Sequence, residues 1–186
     1  MYFNRNIGRA LQRIGGGLLL LLGCLGLWYA LRVARAQILY HRIKFREPAI
    51  SLADVAQVAE RSHQLYPHNY HLSQWLAEKA WYEHMDADLA MQWLQRGLGQ
   101  NPYRLEMRWL ETVLVGREDP VEAARMWEAY SDEVFWNRWV LAGRIYWLAY
   151  AGRLEEAEHY MQILQRIGGD HSWAKEALAA GHAAAE

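Results

Sequence analysis

Cysteine occurs once in the 186 residues, at Cys24. A single thiol excludes a disulfide framework within the chain, a thiolate zinc site and a paired redox centre. Proline occurs four times and glycine fourteen times, which excludes collagen-like and proline-rich chains. Charged residues make up 22% against 53% hydrophobic, so this is not the composition of a disordered tail. No window alternates β-branched with polar residues, and no strand–glycine–strand signal appears. Without strands there is no place for a serine elbow, a phosphate loop or a dinucleotide-binding glycine turn. The length allows one domain of ordinary size plus an appendage.

Charge is absent from one stretch and unevenly shared elsewhere. Residues 1–50 hold eight Arg/Lys and the single acid Glu47, a net +7, whereas residues 51–186 hold twelve basic and twenty acidic residues, a net −8. An acidic body argues against nucleic acid as a partner, because phosphate neutralisation needs a basic face. Basic residues beside an apolar stretch point to lipid headgroups. That stretch is Ile14 to Leu31, eighteen residues without a charge. At about 1.5 Å per residue it is roughly 27 Å long, close to the hydrocarbon thickness. Trp28 and Tyr29 sit where an interfacial aromatic belt is expected, with Arg32 and Arg35 at the headgroups. Gly16, Gly23 and Gly26 allow another helix to approach closely.

The expectation is therefore a basic flank over 1–13, a transmembrane helix over 14–31 and a basic juxtamembrane helix and linker over 32–50, stopped at Glu47-Pro48. Two rivals stay open. Ala34-Arg35-Ala36 has the form of a signal-peptide cleavage site, although Arg32 and Arg35 lie where such sites normally carry no positive charge. Leu21-Leu22-Gly23-Cys24 has the form of a lipobox, yet the apolar run continues past Cys24. The basic residues on the two sides of the span nearly balance. A short basic N-terminus before one span favours export of the downstream chain, which would be the periplasmic side of a bacterial inner membrane; the cytoplasmic side stays open.

After Pro48 the pattern is helical throughout. Ser51, Asn69, Asp86, Asp119-Pro120 and Ser131-Asp132 read as helix starts. Pro67, Asn101-Pro102, Gly152 and Gly168-Gly169-Asp170 read as breaks, with a last helix from about His171. The punctuation recurs: Pro67 and Pro102 are 35 residues apart, and Ala90, Ala123 and Ala157 are 33 and 34 apart.

This pattern resembles the tetratricopeptide repeat, a helix–turn–helix unit of about 34 residues with small residues where helices touch. The clearest unit carries Gly152-Arg153-Leu154-Glu155-Glu156-Ala157-Glu158, then Met161 and Leu164. The unit over 71–102 fits through Trp81, Ala90, Leu94, Gly97 and Pro102. The middle unit, 104–136, keeps Leu110, Leu114, Ala123 and Trp127, but has Met107 at its first packing position and Glu118-Asp119-Pro120 in place of the usual turn glycine. Residues 51–67 resemble a lone second helix. The resemblance implies an all-α chain whose 51–186 domain is a solenoid of about three helix pairs with a capping helix. One such pair cannot bury its apolar face alone, whereas stacked pairs share a continuous core.

The family's concave face falls, on this sequence, at Leu72, Trp75, Lys79 and Tyr82, then Leu105, Arg108, Thr112 and Val115, then Trp139, Ala142, Tyr146 and Tyr150. The resemblance thus implies an aromatic, mildly basic groove for a peptide or protein partner, with Trp75, Lys79, Tyr82, Arg108, Trp139, Tyr146 and Tyr150 as contacts. Trp81, Trp93, Trp109 and Trp127 are expected in the core, and Lys79 is expected as a surface cation over an aromatic ring. Residues 31–37, Leu-Arg-Val-Ala-Arg-Ala-Gln, with a helix and repeats after them, also resemble the repeat-bearing ends of bacterial surface-polysaccharide ligases and polymerases, which implies cell-envelope assembly.

No catalysis and no cofactor are expected. Adjacent acids such as Glu155-Glu156 point about 100° apart on a helix and do not converge as an acid/base pair must. No histidine lies in Ile14–Leu31 to ligate haem. The expected function is a membrane-anchored scaffold or adaptor. The alternatives are a permanent accessory subunit of a larger membrane complex and, remotely, a metal-dependent enzyme using His68, His71 and His84.

Overall fold

A computed structural model of the chain describes residues 3–45, 51–134, 137–169 and 171–185, with side chains from residue 15 onward. The expected stop at Glu47-Pro48, together with Trp136, Asp170 and the side chains of Arg5, Arg9 and Arg13, lies outside the described residues. Among the described residues there are nine helices and no strand. They divide into two compact units, Met1–His68 and Asn69–Glu186.

The first unit holds α1, Phe3–Phe45, and α2, Leu52–Leu65. The stretch Gly15–Phe45 of α1 is long and apolar enough to cross a membrane, with a mean hydropathy of 1.8 in its most apolar window and none of that window buried. Leu18 to Leu22, Leu25, Leu27 and Leu31 are all exposed. The C-terminal part of α1 meets α2 instead. Ala36 and Ile43 are buried there, and Val55 and Ala59 are buried on α2. The Ser62 hydroxyl donates to the Ala36 carbonyl at 3.0 Å, and Arg32 donates to the Gln64 carbonyl at 2.9 Å. Ser51 caps α2 by accepting from the Asp54 backbone N–H at 3.2 Å, as its place in the sequence predicts.

The second unit is seven successive helices: α3, Tyr70–Tyr82; α4, Ala87–Gln100; α5, Leu105–Gly116; α6, Pro120–Glu133; α7, Arg138–Tyr150; α8, Leu154–Arg166; and α9, Ser172–Ala185. Each packs on its successor, and α5 also touches α3 and α7, while α9 packs on α7. Caps explain several boundaries. Asp86 and Asp119 accept from backbone N–H groups three residues on, at 2.9 Å each, and Pro120 occupies the first turn, where no N–H is needed. The ends of α7 and α8 share one device. Gly152 and Gly168 take φ of 75° and 72°, and the next residue donates back to the Leu148 or Leu164 carbonyl at 2.9 Å.

Ala90, Ala123 and Ala157 are each the fourth residue of their helix, and each is fully buried. The spacing in the sequence is thus a spacing of equivalent, buried helix positions. A larger residue there would force its helix off the neighbour. Glycine plays the same part at Gly143, where a Cβ would collide with the Trp127 indole.

One helix start is elsewhere than expected. Ser131 and Asp132 do not open a helix; they belong to the last turn of α6. Asn137 caps α7, accepting from the Trp139 and Val140 N–H groups at 2.9 and 3.0 Å. The Ser131 hydroxyl is already engaged. It donates to the Glu128 carbonyl at 3.0 Å and accepts from Arg144 at 3.1 Å.

Candidate functional site

The second unit contains a cavity of about 640 Å³. Its walls come from α3 (Glu78, Tyr82), α5 (Leu105, Glu106, Trp109, Leu110), α6 (Trp127), α7 (Trp139) and α9 (Trp173). Five of these nine lining residues are aromatic, and the volume lies in the range typical of ligand pockets. The floor is fixed by burial. Trp127 is 1% exposed, and its indole N–H donates to the Val140 carbonyl at 3.0 Å. The rim is open, with Tyr82 61% and Trp139 59% exposed.

The rings form a connected run. Trp109 stands edge-on to Trp127, Tyr146 and Trp173, with centroid separations of 5.6, 5.3 and 5.2 Å. His171 lies 4.6 Å from Trp139 and 5.9 Å from Trp173. Such edge-to-face contacts hold ring orientation as well as burying area. Behind the wall, Tyr146 packs on Trp173 at 5.6 Å and on Tyr150 at 4.5 Å. Burial, and next the hydrogen bond and charge of Tyr150, push the Tyr146 phenol up to about 12. Burial also raises the Tyr82 phenol, with the neighbouring Glu78 carboxylate adding to it.

Of the seven residues expected to line a groove, the cavity brings together Tyr82 and Trp139. Tyr146 and Tyr150 stand in the ring network that backs it. Lys79 is not the surface cation expected: it is 7% exposed, its Nζ lies 2.6 Å from Glu83 and 6.0 Å from the Trp75 ring centroid. Trp75 is half-buried under that cation. Arg108 is occupied by the Pro102 carbonyl at 2.9 Å and Glu111 at 2.8 Å. Leu72, Thr112 and Ala142, named as concave positions, are buried in packing. Trp81, Trp93 and Trp127 are core residues, as expected, but Trp127 also reaches the cavity floor. Trp109 is half-buried and lines the wall, so its assignment to the core alone is corrected.

The charge of the lining differs from the expectation too. Among the described residues that line the cavity, the formally charged ones are Glu78 and Glu106, so the wall is acidic and not mildly basic. Glu78 accepts from the Gln74 amide at 2.8 Å, and Glu106 lies 2.9 Å from Arg104. Among the described residues, no three His, Cys, Asp or Glu side chains are placed to hold a metal ion, and His68, His71 and His84 therefore do not converge with partners into such a group.

Set against protein-family models, curated proteins and solved structures, the chain gives no match in any of the three.

On α1 the expected anchor residues make contacts within the first unit. Arg32 lies over the Trp28 ring at 4.7 Å while donating to α2, and Tyr29 stands edge-on to Tyr66 at 6.5 Å. Arg35 is exposed. A Cβ at Gly15, Gly16, Gly17, Gly23 or Gly26 would meet nothing within 4 Å, so α1 is open at each of these positions.

Proposed function

We propose that the chain is a single-pass membrane adaptor of the tetratricopeptide kind, whose helical body holds a peptide or protein partner in the aromatic cavity. The observation that carries this is the cavity itself, walled by rings from α3, α5, α7 and α9 in a protein that also has a helix fit to cross a bilayer. The equivalent, fully buried Ala90, Ala123 and Ala157, and the contacts of α5 with both α3 and α7, support a stack of repeated helix pairs. Retention of the apolar segment is supported by Ala36, which is buried against α2 and bonded to Ser62; cleavage after residue 36 would cut α1 inside that contact. The resemblance of residues 31–37 and the adjoining helices to envelope-polymer enzymes makes bacterial cell-envelope assembly the setting, with the body on the exported side. Catalysis has no part in this reading.

The open glycine positions and exposed leucines of α1 favour a second reading, in which the chain is a permanent subunit of a larger membrane complex. Both are tested by isolating the full chain from native membranes with its partners. In the adaptor reading Trp139→Ala and Tyr82→Ala, both at exposed rings, release the partner while helicity is retained. Unchanged co-purification with both variants would discard the cavity as the holding site. Loss of the partner only on substituting Gly23 and Gly26 by leucine would favour the subunit reading.

A further inference from the structure

The cavity's lining selects among ligand charges. Aromatic faces carry the negative lobe of the ring quadrupole, so a stack of them attracts cations. Here Tyr82, Trp109, Trp139 and Trp173 supply ring surface, and Glu78 and Glu106 supply the formal charges of the described wall. An anionic ligand would meet two carboxylates and no cation among those lining residues. A purely apolar ligand would fit the rings but would strip water from Glu78 without replacing it. A flat cation satisfies both features, since a guanidinium stacks on indole and pairs with carboxylate.

The nearby basic side chains do not fill this role. Lys79 Nζ is held at Glu83, Arg108 at Pro102 and Glu111. Arg104 Nε touches Glu106 at 2.9 Å, but it also donates to Gln74 at 3.0 Å, and the side chains of the pair are 34% and 50% exposed. An exposed pair of this kind is weak and exchanges readily with an incoming cation. A carboxylate has about four lone-pair positions, and Glu78 uses one for Gln74.

We propose that the cavity holds an arginine side chain, presented by an extended segment of the partner, with its guanidinium among the rings of Trp109, Trp139 and Trp173 and directed at Glu78. This rests on the adaptor reading and names what the partner must offer. The probes are two capped pentapeptides, Ala-Ala-Arg-Ala-Ala and the same peptide with neutral citrulline for arginine. They are titrated into the full chain in mild detergent, with tryptophan emission and calorimetry as readouts. The arginine peptide should bind saturably and about tenfold or more tighter than the citrulline peptide, a preference reduced by salt. Glu78→Gln should remove most of that preference while leaving the citrulline peptide's affinity unchanged. Glu106→Gln, at an exposed position, removes the wall's other carboxylate and should reduce the preference in part, which keeps the test open if the first variant fails to fold. Equal binding of the two peptides, no binding of the arginine peptide, or a preference untouched by both glutamine variants would overturn the arginine assignment. The adaptor reading would then still be judged on its own, by partner release with Trp139→Ala.

Discussion

Trp109 on α5 and Trp173 on α9 stand with ring centroids 5.2 Å apart at an interplanar angle of 61°. The contact joins one wall of the cavity to a helix that, from sequence, reads only as an end cap. Replacing Trp173 by alanine should therefore open the cavity and lower stability by about 2 kcal/mol, less than a fully buried tryptophan would cost. A double-mutant cycle with Trp109→Leu and Trp173→Leu, read by denaturant unfolding, should return a coupling of about 0.5–1.5 kcal/mol. Strict additivity would mean that the two rings do not stabilise each other.

Gly143 is where α7 yields to Trp127. Gly143→Ala should destabilise the body by about 1–3 kcal/mol, because the Cβ and the buried indole compete for one space. Pairing Gly143→Ala with Trp127→Leu should cost less than the sum of the two single changes, measured as unfolding midpoints in detergent.

Arg144 is buried and reaches Asp132 at 2.7 Å, Glu128 at 3.5 Å and the Tyr160 ring at 4.3 Å. Glu128 also holds Arg153 at 2.7 Å, so it keeps a cation when Arg144 is lost. Arg144→Ala should therefore cost about 1–2 kcal/mol, below the usual penalty for breaking a buried pair. Arg144→Ala together with Arg153→Ala should cost more than their sum, because Glu128 then has neither.

Alkaline pH should loosen the cavity wall. Tyr146 is raised to about 12, and burial raises Tyr82 and Tyr130 as well. The folded state thus binds phenolic protons more tightly than the unfolded chain, whose tyrosines titrate near 10. This contribution to stability is complete below pH 10 and is lost as pH rises through about 12. Absorbance at 295 nm should show late tyrosinate formation coincident with loss of helicity, and Tyr146→Phe should flatten the fall in stability above pH 10.

The single cysteine makes topology measurable. In a Cys24→Ser background, Ser172→Cys places one exposed thiol on the body. A membrane-impermeant maleimide should label it in intact cells whose outer barrier is permeabilised, if the body is exported. Labelling only after lysis would put the body in the cytoplasm. Cys24→Ser alone should leave membrane retention unchanged, whereas its loss would point to lipid attachment at that thiol.

Most helix boundaries were legible because they rest on local chemistry: Asp86, Asp119 and Pro120 at starts, Gly152 and Gly168 at ends. Ser131-Asp132 misled because a cap signal is local while its use is not; Arg144, a helix away, holds both side chains. The cavity was half legible. Tyr82, Leu105 and Trp139, expected in the groove, do line the cavity, but α5 also contributes Glu106, Trp109 and Leu110, and Arg108 is not among the lining residues. The i, i+3 and i, i+4 pairs Glu106–Trp109 and Glu78–Tyr82 were visible in the sequence. What the sequence could not show is which face each helix turns inward, since that is decided by packing such as Trp127 on Gly143.

α1 runs without a break from Phe3 to Phe45, and the part that meets α2 continues the part that is bare and apolar. A change in tilt or rotation of the bare portion is therefore passed to α2 through the Ala36–Ser62 and Arg32–Gln64 bonds. In the proposed membrane-anchored reading, bilayer thickness thereby becomes a mechanical input to this first unit.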